Sequence, residues 1–128
     1  MKVLELTLLP ERLAVCRFPP SWAPPVWVQE LPLWSMTRTE DELSLVVPEE
    51  KVPEAWKAER GWRCLKVEGP LDFGLTGILA SLAVPLADAG ISIFALSTYD
   101  TDYLLVPERE VEEARDALER AGHLVVGE

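Results

Sequence analysis

At 128 residues the chain is one domain by size, or two very small ones packed together. It is 48% hydrophobic, enough for a packed interior, and its formal net charge is -10, with 7 basic and 10 acidic groups in residues 1–60 and 5 and 12 in residues 61–128. No basic patch is present, which argues against a nucleic-acid partner, and no apolar run reaches the roughly 18 residues a membrane span needs.

The first apolar run is broken by Lys2 and Glu5 and ended by Pro10, so no signal peptide is expected. Lys2 to Leu9 and Leu13 to Phe18 read as two strands, with Pro10-Glu11-Arg12 as the turn of a hairpin. Pro19 to Pro25 holds four prolines in seven residues and can be neither helix nor central strand. It reads as an ordered surface loop pinned by Trp22 and Trp27. Val26 to Met36 is expected to be extended, with Leu43 to Val47 as its partner strand. Pro48 to Ala58 reads as a short, weak helix interrupted by Pro53.

The second half is more regular. Trp62 to Glu68 alternates as a strand. Leu75 to Ala89 carries Leu75, Ile78, Leu79, Leu82 and Leu86 at helical spacing, with Pro85 inside it and Gly90 as its stop. Ile91 to Leu96 and Tyr103 to Val106 read as strands. Glu108 to Ala121 is a helix with Val111, Ala114, Leu118 and Ala121 on one face, and His123 to Val126 is the last strand. The order is β-α-β-β-α-β, an α+β, ferredoxin-like plan. Leu4, Leu6, Leu65, Val67, Ile78, Leu82, Ile93, Leu105, Val111 and Leu118 are the expected core.

Two segments repeat each other. LWSMTRTEDELSLVVPE, from Leu33 to Glu49, and IFALSTYDTDYLLVPE, from Ile93 to Glu108, lie about 60 residues apart. Each runs from a strand into a polar, acidic tip and out along a second strand to Val-Pro-Glu. The chain therefore reads as one small unit built twice. Residues 1–60 form a degenerate copy in which the proline segment replaces the first helix, and residues 61–128 the full one. The two are expected to share an antiparallel sheet.

Little here could build an enzyme. His123 is the only histidine and reads as structural or surface. Cys16 and Cys64 sit in strand-like runs, where a free cysteine is a small core residue, and two cysteines without a motif suit a reducing cytoplasm. No metal-ligand spacing and no cofactor motif is present. Two segments could bind a small ligand. Asp72-Phe73-Gly74-Leu75-Thr76-Gly77 joins a strand to a helix start, whose free N–H groups suit a carboxylate. Gly74 and Gly77 would leave room for close approach, or would serve packing alone, with Asp72 as a cap. Ser97 to Tyr103 gathers hydroxyls with Asp100 and Asp102, or is simply a polar hairpin tip.

GWRCLKVEGPLDFGLTGILASLAVPLADAGISIFALSTYDTDYLLVPE, with Pro85-Leu86-Ala87, Ile91-Ser92 and the Ser97 to Tyr103 run, resembles the ACT-domain small-molecule-binding modules. It is most similar to bacterial tandem-ACT proteins related to the CASTOR-type cytosolic arginine sensors. The resemblance implies tandem ACT units and an amino acid, basic ones included, held where units meet. By that resemblance the ligand touches Ser92 and Ile93, the loop from Asp72 through Phe73, Gly74, Leu75 and Thr76 to Gly77, and the turn with Thr98, Asp100 and Asp102. Four ACT units per assembly then imply a homodimer. The expected function is a cytoplasmic amino-acid sensor without catalytic activity. The alternative is an ACT module kept for dimerisation or protein contact.

Overall fold

The computed structural model describes residues 3–69, 71 and 76–127. The chain divides into two compact units, residues 1–10 with 62–128 and residues 11–61. Strand β1, Glu5–Phe18, passes from the first into the second. The fold is α+β and ACT-like, with a mostly antiparallel sheet and two α-helices.

The expected hairpin at Pro10 is not formed, because β1 continues through it. A proline lacks only the N–H, which a strand can spare where its pairing changes. Residues Glu5 to Thr7 pair in parallel with β7, Leu124–Val126, while Leu13 to Phe18 pair antiparallel with β3, Leu43–Pro48.

In the smaller unit β3 also pairs with β2, Ser35–Arg38. Val26–Glu30 is a 3-10 helix rather than an extended run, and Val28, which donates to the Pro25 carbonyl, is buried in the core. The expected helix after Pro48 shortens to a 3-10 turn, Glu49–Lys51, whose Glu49 side chain accepts from the Gly61 N–H at 2.6 Å. Proline at 53 cannot donate, so the turn does not propagate. Phe18 stacks on Trp22 at 3.5 Å, and Trp56 sets its edge against both and stacks on Trp27. The proline segment is held down by these rings. Cys16 lies in this core, where burial pushes its thiol up, against the opposing charge of Arg60.

In the larger unit the strand order is β7-β1-β4-β6-β5, with β4 Ala58–Val67, β5 Phe94–Ser97 and β6 Asp102–Pro107. The start of the chain thus enters the sheet between β4 and β7. Helices α1, Ile78–Asp88, and α2, Val111–Arg120, cover its core of Leu4, Leu6, Leu65, Val67, Leu82 and Leu118. Ile78, Ile93 and Val111, expected to be buried, are half-buried and pack on this core, while Leu105 is fully buried outside it. Both helices end as the glycines forecast. Gly90 and Gly122 have φ 76° and 98°, and Ile91 and His123 return their N–H groups to Leu86 and Leu118.

Pro85 deprives the Ser81 carbonyl of its helical donor. His123 replaces it. Its Nε2 lies 3.2 Å from that oxygen, and its Nδ1 accepts from the Leu4 N–H at 3.1 Å. Since a carbonyl only accepts, the proton is on Nε2 and the ring is neutral. The imidazole, 4% exposed, therefore joins the residue before β1 to α1 from the foot of β7. His123→Ala should cost about 1–3 kcal/mol for each group it orphans. With Pro85→Ala the helix can supply an N–H to Ser81, and the cost should fall. Urea denaturation of the four variants measures this. Equal costs in both backgrounds would mean that the two residues are not coupled.

Candidate functional site

The polar end of the larger unit is built by β4, the chain leaving it, and the β5–β6 turn. β5 and β6 pair antiparallel, Ser97 opposite Asp102 and Leu96 opposite Tyr103, and Tyr103 stands opposite Lys66 of β4. Within the turn the Thr98 N–H donates to the Thr101 carbonyl at 2.8 Å, and the Thr98 hydroxyl accepts from the Thr101 N–H at 3.3 Å. This is a turn closed by its own hydroxyl.

Two bonds fasten the turn to the end of β4 and the chain leaving it. The Thr101 hydroxyl, in a residue 5% exposed, donates to the Val67 carbonyl at 2.7 Å. The Leu71 N–H donates to the Asp100 carbonyl at 2.8 Å. Gly69 lies under the turn. A Cβ there would come within 2.9 Å of the Leu71 nitrogen and 3.3 Å of the Asp100 carbonyl oxygen, so a side chain does not fit. On the β1 side, the Glu68 carboxylate accepts from the Thr7 hydroxyl at 2.7 Å.

These elements enclose a cleft of about 270 Å³. Lys66 of β4 and Glu68 and Gly69 of the chain leaving it line one side, and Thr98, Asp100, Thr101 and Tyr103 of the turn and β6 the other. Lys66, the Asp100 carboxylate and the Tyr103 hydroxyl make no hydrogen bond or ion pair with any described residue. Among the described residues the cleft therefore offers one cation, one carboxylate and one hydroxyl without a partner. Among the described residues no group of three His, Cys, Asp or Glu could hold a metal ion, and no helix is long and apolar enough to cross a membrane.

Of the residues expected from sequence, Thr98 and Asp100 line the cleft. Asp102 lies beside it and accepts from the Ser97 hydroxyl at 2.6 Å, closing the hairpin. Ser92 is exposed and Ile93 half-buried before β5, whereas the turn follows it, so the two ends of that strand separate them within one chain. Thr76 and Gly77 are exposed and do not line the cleft. Gly77 has φ 76° at the N-cap of α1, and an added Cβ would meet nothing within 4 Å. Its conformation, rather than close approach, is what requires glycine. Asp72, Phe73, Gly74 and Leu75 lie outside the described residues. Sequence reasoning does not find Lys66, Glu68 or Gly69. The signal was there: Lys66 and Glu68 alternate with Leu65 and Val67, placing them on the other face of β4.

Gly69→Ala should destabilise the larger unit by about 1–3 kcal/mol, because turn and strand end must move apart. Thermal or urea unfolding measures it. Unchanged stability would mean that the turn yields freely.

The comparisons with known proteins agree on the fold. A family model described as the ACT domain matches residues 57–120, and a second, described as an N-terminal domain, matches residues 11–55. The rat cytosolic arginine sensor for mTORC1 subunit 1 is 42% identical over 60 residues, which are 46% of this chain and 18% of that protein. The chain thus matches less than a fifth of that relative's length. The crystal structure of protein Atu0741 from Agobacterium tumefaciens superposes with a TM-score of 0.93 at 38% identity, covering 100% of this chain and 96% of that one. The ligand-free regulatory subunit of aspartate kinase from Thermus thermophilus superposes with a TM-score of 0.62 at 12% identity, covering 94% and 99%, a likeness of fold alone.

Proposed function

The chain belongs to the ACT-domain family, and on that premise we propose that it is a regulatory module that binds an amino acid and carries no catalysis of its own. The observation that supports this most is the cleft beside the β5–β6 turn, where groups of both charge signs stand without partners among the described residues. A zwitterion needs both signs, and a basic amino acid has a second cation to place near Asp100 or Asp102. In this reading residues 61–128 are the ACT domain and residues 1–60 a degenerate ACT-like unit. The chain works in the cytoplasm as a homodimer. The Asp72 to Gly77 loop adjoins the ligand, and Ser92 and Ile93 reach it from a facing protomer. No cofactor takes part, and the signal passes to another protein.

A second reading, a module kept for dimerisation or protein contact, is favoured by α1. Leu79 and Val84 are 38% and 56% exposed there, and the helix has no charged residue before Asp88. A ligand separates the two readings.

Titration calorimetry and thermal shift against the twenty amino acids test the proposal. A ligand bound only by the folded state at 100 times its Kd adds about 2.7 kcal/mol of stability. Asp100→Asn should weaken a basic amino acid about tenfold while leaving the unliganded melting point nearly unchanged, since the Asp100 carboxylate supports nothing in the fold. Gly77→Val is a poor probe, because its left-handed backbone strains any β-branched residue with or without ligand. No heat and no shift with any amino acid at millimolar concentration would leave the contact module standing. Light scattering that finds only monomer would remove the homodimer.

A further inference from the structure

We infer that Lys66 is the anion anchor of the cleft, and that what binds there must carry a free carboxylate. This rests on the amino-acid reading and narrows it.

The polar groups around the cleft fall into two sets. One set is committed to the frame: Glu68 to Thr7, Thr98 to Thr101, and Thr101 to the Val67 carbonyl. The other set, the Lys66 ammonium, the Asp100 carboxylate and the Tyr103 hydroxyl, makes no polar contact with described residues. Lys66 is the only cation among the described lining residues. It is also the single lysine in residues 61–128, which hold 12 acidic groups. With two carboxylates on the same cleft, an ammonium could pair internally, but no ion pair forms to either. Its three N–H donors are left for an occupant.

The position suits an anchor. Lys66 is the next-to-last residue of β4, paired with Tyr103, and the next residue supplies the carbonyl that holds Thr101. Its backbone is therefore fixed relative to the turn that carries Asp100. Lys66 is half-buried and lines the cleft, and a lysine can bury its stem while its charged head stays accessible. A ligand carboxylate on Lys66 then leaves its ammonium to Asp100, with the Tyr103 hydroxyl able to serve either group. The competing anchor, the N–H groups at the start of α1, has a weaker claim from geometry, since Thr76 and Gly77 do not line the cleft.

Matched pairs differing only in the carboxylate test this: L-arginine against agmatine, and L-leucine against isopentylamine. Calorimetry on the wild type should find the acid of at least one pair bound tenfold or more tightly than its amine. Lys66→Met should weaken that acid about tenfold and leave the amine unchanged, so that the ratio approaches one. Lys66→Arg should keep the ratio. If Lys66→Met fails to fold, Lys66→Gln and the wild-type ratio still decide. A wild type that binds acid and amine equally overturns the anchor, as does a Lys66→Met protein that keeps the full ratio, and in both cases the amino-acid reading survives. A wild type that binds no member of either pair, or any other amino acid, overturns both.

Discussion

The hydroxyl of Thr101 donating to the carbonyl of Val67 is the bond on which the candidate site depends. Val67 is the last residue of β4, and beyond it the ladder with β6 has ended. A side-chain donor takes over where main-chain pairing stops, so the turn cannot swing away from the strand. Both groups are buried, and a buried carbonyl without a partner costs about 1–3 kcal/mol. The N–H of Leu71 repeats the clamp one residue earlier in the turn, at the Asp100 carbonyl. Gly69 then follows as a necessity, because only a residue without Cβ fits beneath two clamped segments.

The first hairpin is a control supplied by the protein itself. Its tip closes in the same way: the Thr39 N–H donates to the Glu42 carbonyl at 2.9 Å, and the Thr39 hydroxyl accepts from Asp41 and Glu42. Its second strand also ends at a proline that leads into a 3-10 turn. Thr39 and Thr98 are therefore turn chemistry, common to both copies. The copies part at the fourth position of the turn, where Glu42 stands in one and Thr101 in the other. Glu42 approaches Arg17 at 3.9 Å in an exposed pair, which contributes little. Thr101 is buried and clamps a strand end. What separates the site from its repeat is one hydroxyl.

The same comparison explains how much could be read from sequence. The repeat, both α-helices and their terminal glycines were legible because each rests on local spacing. So was the family, through the Ser97 to Tyr103 run. Pro10 misled, because a proline between apolar runs looks alike whether the chain turns or only changes partners. Val26 to Glu30 misled because Trp27 is placed by the ring of Trp56, far along the chain. The site was half legible. Thr98 and Asp100 lie within the motif, but Lys66 and Glu68 sit in an ordinary alternating strand. What gives them meaning is the pairing of Lys66 with Tyr103, a contact 37 residues long in sequence and invisible in spacing.

His123 shows how one departure from regular structure can require another. Pro85 interrupts α1, and the carbonyl it exposes would be costly inside the core. A neutral imidazole is among the few side chains that can donate to that carbonyl and accept from a main-chain N–H at the same time. The sole histidine of the chain has both ring nitrogens engaged with main-chain atoms. It has none left for a substrate. Among the described residues around the cleft, the side chains without such partners are those of Lys66, Asp100 and Tyr103.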